Sequence, residues 1–449
     1  MNRNMLKELV AWRESPRRKP LVLDGARQTG KTWLLKQFAR DAYESLVYLN
    51  FDEDKKLRQF FAGDSLKPAR IIADLQTYLQ RDIRPHRDLV VFDEVQECGE
   101  ALHALKYFCE EANDYHLAAA GSLLGIHLAT PSSFPVGKVN FLRLHPMTFL
   151  EFLEAAGATR LRARLQEAMD FEPLPGPFHD ELIGHLRCYY FVGGMPEAVA
   201  QFVKDGNVAE VRAIQREIVG SYIRDFAKHA PHVDIPRLLH IWESIPSQLA
   251  QENKKFVFAQ IRPGARARDY ESALLWLQNA GLIHRATAIR KPELPLAGRA
   301  DLDHFKVYLL DVGLLGALAG LAPSALVDGA ELFTGYKGAF VENFVAQELV
   351  AAGHPLFFWK REQGIAEVDF LLQADNRIYP LEVKAGINPK SKSLQSFDAT
   401  WNPPLLLRTT LLNARLDGRI ANVPLYAVAS LPDRLAKGRK PIPQGPSAS

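Results

Sequence analysis

The chain has 449 residues, more than one ordinary core holds, so length alone points to roughly two to four domains. Apolar residues at 47% and charged residues at 24% are globular proportions and argue against a long disordered region. A formal charge of +3, from 55 basic and 52 acidic residues, neither demands nor excludes nucleic acid; any basic face has to be local.

In chain order, Met1 to Pro20 is charged throughout and lacks the apolar centre of a signal peptide. Leu21-Val22-Leu23 then reads as a short buried strand, followed by a glycine-bearing loop and a helical period over Lys31–Ala39. Leu46–Phe51, Leu89–Phe92 and His116–Ala120 are further strand-like runs. Strands separated by helices predict right-handed βαβ units and a mostly parallel sheet over residues 1–150. The three cysteines, Cys98, Cys109 and Cys188, are odd in number and lack metal-ligand spacing, as expected in a reducing cytoplasm.

Gly25-Ala26-Arg27-Gln28-Thr29-Gly30-Lys31-Thr32 matches G-x-x-x-x-G-K-[ST] in the strand–loop–helix context that gives this pattern its meaning. The glycines let the loop curl with its N–H groups inward, and the helix N-terminus adds positive potential. Residues Gly25 to Trp33 are therefore expected to cradle ATP, with Lys31 on the β and γ phosphates and Thr32 on Mg2+. Leu89–Phe92 ends in Asp93-Glu94, a Walker B pattern in which Asp93 serves the metal and Glu94 polarises the attacking water. Ser122, after the strand between the two motifs, is either a γ-phosphate sensor or a plain helix cap. Lys138 and Arg143 are candidates for an arginine-finger role should subunits assemble.

From about Phe149 the period becomes 3.6. Phe149–Ala156, Arg160–Phe171, His179–Tyr190 and Glu210–Phe226 read as a helical lid over 151–234. Residues 235–295 run helix (Pro236–Leu249), short strand (Phe256-Val257-Phe258), helix (Arg266–Asn279) and extended hairpin, the order of a winged helix. Arg262, Arg266 and Arg268 stand where a recognition helix meets DNA, though a packing module has the same order. Val312–Ala322 is the longest greasy stretch, shorter than the roughly 20 residues that span a bilayer, so a cytoplasmic protein with no membrane partner is expected.

Residues 296–436 return to an α/β rhythm. A long helix, Lys337–Ala352, precedes strands Pro355–Trp359, Val368–Leu372 and Ile378–Ala385, the last two joined by the turn Ala374-Asp375-Asn376. Period two places Glu382 and Lys384 on one face, Asp369 is on the neighbouring strand, and Glu342 is on the helix. Carboxylates with a lysine at one sheet face suit a second divalent metal that activates water against a phosphodiester, with Glu342, Asp369 and Glu382 as ligands and Lys384 assisting. A charged strand edge in solvent is the plainer explanation of any E-x-K. Lys360, Arg361, Lys390 and Lys392 could line a phosphate path or be solvated surface charges. Residues 437–449 read as a basic, flexible tail.

Taken together, Gly25–Thr32, Asp93-Glu94-Val95-Gln96, Ala120-Gly121-Ser122-Leu123-Leu124, Pro135-Val136-Gly137-Lys138-Val139 and His145-Pro146-Met147-Thr148-Phe149-Leu150-Glu151-Phe152 resemble a prokaryotic AAA-type ATPase family. Gly193-Gly194-Met195-Pro196-Glu197, Tyr222-Ile223-Arg224-Asp225 and Glu367-Val368-Asp369-Phe370 extend the resemblance over nearly the whole chain. Members of that family carry a C-terminal domain of unknown function. The resemblance implies an AAA-like core, a winged helix, and a C-terminal domain similar to the PD-(D/E)xK nucleases, on whose positions Glu342, Asp369, Glu382 and Lys384 fall. The fold expected is thus α/β multidomain: a P-loop parallel sheet, a helical lid, a winged helix and a restriction-endonuclease-like domain.

Two functions compete. One is an ATPase coupled to a nuclease-like domain that acts on or binds nucleic acid. The other is a nucleotide-gated regulatory switch with an unidentified protein partner, its nuclease-like domain a non-cutting recognition module. Oligomerisation fits either.

Overall fold

Burial on both faces accounts for the uninterrupted apolar runs of the N-terminal third. The structure, a computed structural model, describes residues 2–63, 65–122, 124–125, 137–167, 171–251, 255–323, 337–362, 366–386 and 392–436. Leu123, Pro135, Val136, Lys390 and the tail from Lys437 lie outside the described residues. By contacts the chain forms two compact units, Met1–Met147 with Ser272–Leu282, and Thr148–Glu271 with Ile283–Ser449.

In the first unit, strands β1 (Leu21–Asp24), β2 (Ser45–Asn50), β3 (Asp88–Asp93), β4 (His116–Ala120) and β5 (Asn140–Arg143) form a sheet ordered β2-β3-β4-β1-β5. Every pairing is parallel, so each connection must cross the sheet. Helices α1 (Met5–Glu14), α2 (Lys31–Ala42), α3 (Pro68–Leu79) and α4 (Gly99–Glu111) accompany the strands. Alternate residues serve two cores. Val22, Val90, Phe92 and Ala119 pack with Phe51 and Phe61, whereas Leu21, Leu23, Val91 and Ala118 pack with Leu34, Leu35 and Phe38 of α2. Because β4 lies between β1 and β3, the loops leaving these three strands meet at one edge of the sheet.

The second unit opens with helices α5 (Phe149–Ala155), α6 (Thr159–Glu167), α7 (Gly176–Val192), α8 (Pro196–Asp205) and α9 (Val208–His229). Thr148 and Glu151 form a reciprocal capping box at α5. Helix α8 is absent from the sequence expectation; it begins where Pro196 occupies the first turn, after the Gly193-Gly194 break. Helices α10 (Ile235–Leu249) and α11 (Phe258–Ile261) follow, and α12 (Ala267–Asn279) begins in this unit and continues from Ser272 in the first.

Two expectations are corrected here. Phe256-Val257-Phe258 is not a strand: Val257 exchanges both its backbone hydrogen bonds with the Gln248 side chain, and Phe258 already begins α11. A side chain has taken the place of a ladder neighbour. The hairpin β6 (Ile283–Ile289) and β7 (Ala300–Leu309) is also no isolated wing, because β6 pairs parallel with β8 (Phe357–Lys360) on its other edge. The expected boundary at 295 therefore falls between two strands of one sheet. That sheet runs β12-β13-β11-β10-β9-β8-β6-β7, with β9 (Glu367–Ala374), β10 (Arg377–Val383), β11 (Leu406–Thr410), β12 (Arg415–Asp417) and β13 (Ile420–Pro424). Asp375 and Asn376, both with positive φ, close the tight β9–β10 hairpin. Helices α13 (Val312–Leu318), α14 (Lys337–Ala351) and α15 (Lys392–Trp401) belong to this unit, and Trp359, Val368, Leu371, Leu394 and Phe397 build one of its cores. Among the described residues no helix is long and apolar enough to cross a membrane.

Candidate nucleotide site and carboxylate cluster

The loop after β1 is shaped by two glycines. A Cβ at Gly25, whose φ is +151°, would stand 2.3 Å from the carbonyl oxygen of Leu144, and Gly30, at φ +92°, caps α2 in the left-handed region. Thr29 Oγ1 donates to the Ala26 carbonyl at 2.9 Å. Arg3, buried, donates to the carbonyls of Thr29 at 2.9 Å and His145 at 2.6 Å, fastening the loop from outside. Arg3 is not visible in the sequence pattern, since its role depends on a contact 26 residues away.

Lys31 is buried, and its Nζ donates to the carbonyls of Gly25 at 2.8 Å and Ala26 at 2.9 Å. Burial pushes its ammonium down to about 8, against the attraction of Glu94, Asp24 and Asp93. Thr32 Oγ1 donates to Asp93 Oδ2 at 2.7 Å, and Tyr48 of β2 donates to the same oxygen at 2.6 Å. The structure thus brings Lys31, Thr32 and Asp93 together and adds Tyr48. Arg27, Gln28 and Trp33 are exposed, Trp33 at 44%, and Gln28 has a positive φ of 65°.

Glu94 takes the left-handed conformation, φ +50°, as the chain leaves β3. Its Oε2 accepts from Gln96 Nε2 at 2.5 Å and from Ser122 Oγ at 3.2 Å. Ser122 therefore faces the carboxylate. Gln96 joins it, and Gly121 makes room: a Cβ there would lie 2.2 Å from Gln96 Oε1. The two finger candidates are engaged within the unit, Lys138 with Glu110 at 2.8 Å and Arg143 with Asp24 at 2.5 Å.

In the second unit two of the four predicted residues, Glu342 and Asp369, are placed around a cation that the motif omits. Lys306 of β7 is 1% exposed, and its Nζ lies 3.2 Å from Glu342 Oε1 and 2.7 Å from Glu367 Oε1. Burial opposes its charge, but Glu342, Glu367 and Asp369 outweigh burial and hold the ammonium above the ordinary lysine range. Tyr308, two residues along the strand, donates to the same Glu342 oxygen at 2.5 Å. Asp369 Oδ2 accepts the Val383 N–H at 2.7 Å, and Glu382 Oε1 pairs with Lys384 Nζ at 2.5 Å. Among the described residues no three His, Cys, Asp or Glu side chains gather in a way that could hold a metal ion. The expected cage of Glu342, Asp369 and Glu382 is therefore not formed, because Glu342 is turned to Lys306 and Tyr308. A lone lysine in the apolar run Phe305–Leu310 is the sequence signal for this counter-ion.

Residues 17–153 match the AAA domain family, residues 183–325 a domain of unknown function (DUF8612), and residues 337–428 another (DUF4143). No match is found among curated proteins. Of solved structures, the Walker-type ATPase PABY2304 of Pyrococcus abyssi is 14% identical with a TM-score of 0.44, covering 71% of this chain and 95% of that one. The Aeropyrum pernix ORC1 protein, solved in complex with DNA, is 14% identical with a TM-score of 0.31, covering 71% and 90%. Cdc6p from Pyrobaculum aerophilum is 13% identical with a TM-score of 0.24, covering 72% and 93%. The N-terminal sheet and its loop make a P-loop domain similar to the AAA family.

Proposed function

We propose that this chain is a nucleotide-driven switch: its AAA-type domain binds and hydrolyses ATP, and the nucleotide state governs a nuclease-like C-terminal domain that engages nucleic acid. The meeting of Lys31, Thr32, Asp93 and Glu94 at one sheet edge carries the reading. Thr32 and Asp93, already in contact, are a hydroxyl and a carboxylate suited to Mg2+, which when bound neutralises phosphate charge. Lys31 exchanges two carbonyl acceptors for phosphate oxygens. Glu94 takes a proton from the attacking water, whose oxygen bonds to the γ phosphorus as the bond to the β–γ bridging oxygen breaks, leaving ADP and phosphate. Gln96 and Ser122 aim the carboxylate.

Topology supports the nuclease-like reading of 296–436. Helix α14, the antiparallel succession β8-β9-β10, helix α15 and β11 parallel to β10 carry Glu342, Asp369, Glu382 and Lys384 in the expected order. Arg262, Arg266 and Arg268, before and at the start of α12, are exposed and leave basic side chains open to a phosphate backbone.

The test is turnover and binding with magnesium present. Lys31→Ala should lose ATP binding, while Glu94→Gln should bind ATP and hydrolyse it at least about a hundredfold more slowly. Wild-type protein that binds no nucleoside triphosphate, or Glu94→Gln protein with undiminished turnover, would refute the reading.

A further inference from the structure

We propose that Lys306 is the resident cation of the C-terminal carboxylate cluster, standing where a nuclease of this topology would hold a divalent metal, so that this domain binds nucleic acid without cutting it. The inference rests on the nuclease-like reading above and decides between its cutting and non-cutting forms.

Buried carboxylates need a cation at ion-pair distance. A divalent ion is one solution and a buried ammonium is another. Here the ammonium is in place, 2.7 Å from Glu367 and 3.2 Å from Glu342 at a site 1% exposed. Its stem crosses the sheet on a path the sequence leaves open. Ala286 is its cross-strand partner on β6 and presents only a methyl to that face, and Phe358 of β8 lies 4.9 Å beneath the ammonium. A metal bound to Glu342 Oε1 would have to displace both the ammonium and the Tyr308 hydroxyl. Sharing the site would set a divalent ion within a few ångströms of an ammonium in a water-poor interior, where like charges repel strongly.

The remaining acids are also spoken for. Asp369 accepts the Val383 N–H, and Lys384 compensates Glu382. One buried oxygen, Glu382 Oε2, has no hydrogen-bond partner among the described residues, and a single oxygen is not a ligand set. Glu367 and Asp369, two apart on β9, both contribute to the field at Lys306, so the negative cluster is built around that lysine.

The experiment is Mn2+ binding to the full chain without nucleotide, followed by electron paramagnetic resonance, in wild type, Asp369→Asn, Lys306→Met and the Lys306→Met/Asp369→Asn pair. Wild type and Asp369→Asn should match, because no metal sits at that position. Lys306→Met should gain a site at least about tenfold tighter than any wild-type C-terminal binding, and Asp369→Asn should remove it again. A stoichiometric wild-type site abolished by Asp369→Asn or Glu382→Gln overturns the proposal, as does a folded Lys306→Met protein with no gain. Should Lys306→Met not fold, the wild-type and Asp369→Asn comparison still decides. Retention of labelled DNA and RNA in EDTA is measured alongside. Retention without metal is expected; failure to retain either sinks the nuclease-like reading itself and leaves the metal comparison standing.

Discussion

Two side chains donate to one oxygen of Glu94, and a third position is kept bare for one of them. Gln96 Nε2 is at 2.5 Å and Ser122 Oγ at 3.2 Å, while a Cβ on Gly121 would meet Gln96 Oε1 at 2.2 Å. Contact at that distance cannot be absorbed by the neighbour in place, so Gly121→Ala must push the glutamine amide aside. Both Gln96→Leu and Gly121→Ala are therefore expected to lower kcat about tenfold to a hundredfold while ATP affinity stays within about twofold, because neither residue belongs to the phosphate cradle. Steady-state turnover beside equilibrium nucleotide titration checks this; an equal loss in binding would place Gln96 in the cradle instead. The contrast with Gly25–Thr32 shows what was legible at this scale. A phosphate loop is contiguous, so its eight residues can be read together, and Asp93-Glu94 follows an apolar strand at a recognisable point. Tyr48 and Arg3 reach the site from other segments, through contacts of a kind that no local spacing encodes, whereas Gln96 stands only two residues after the carboxylate it touches.

Helix α14 is the element on which the second unit turns. Its residues from Ala339 to Leu349 are all buried, including Glu342, Asn343, Gln347 and Glu348, and each of those four has a partner. Asn343 brackets the Leu309 backbone, Gln347 accepts from Val312 N–H and donates to Tyr189, and Glu348 accepts the Phe149 N–H at 3.0 Å. Burial pushes the Glu348 carboxyl up to about 8, despite that backbone donor. The folded state keeps a proton that the unfolded state surrenders near its ordinary value of 4.5. Stability from this group is full below that value and is lost as pH rises through about 8, since the unfolded state binds fewer protons over that window. Glu348→Gln retains a neutral acceptor for Phe149. It should match wild type near about pH 5 and melt several degrees higher near about pH 9, as thermal unfolding at the two pH values would show. A gap that is the same at both values would rule out the titration. The helix itself was readable from its length. Its lack of a polar face does not by itself announce burial, because the polar residues that stay inside look identical in sequence to those that face water. The β6–β7 hairpin posed the same problem: alternation and a turn are common to a free wing and to two strands of a larger sheet, and β8, which decides between them, lies more than sixty residues beyond β6.

At the scale of the molecule, the chain passes between the two units three times, after Met147, Glu271 and Leu282. The unit that holds the P-loop is thus built from two separate stretches, and the shorter one comes from within the segment whose element order suggests a winged helix. Such interlacing is a covalent reason to expect nucleotide occupancy to be felt beyond the P-loop, and it makes the proposed switch quantitative. If ATP changes nucleic-acid affinity by some factor, nucleic acid must change ATP affinity by the same factor, because both are legs of one cycle. Glu94→Gln, which should hold ATP without consuming it, allows both legs to be measured at equilibrium. The expected coupling is about fivefold to a hundredfold, equal in the two directions, and absent in Lys31→Ala. Nucleic-acid binding indifferent to ATP would leave an ATPase and a binding domain in one chain with no switch between them. Factors that differ between the two legs would instead show that one titration had not reached equilibrium. A coupling that persists after Lys306→Met would separate the switch from the carboxylate cluster, since it would show that the cation there takes no part in communication.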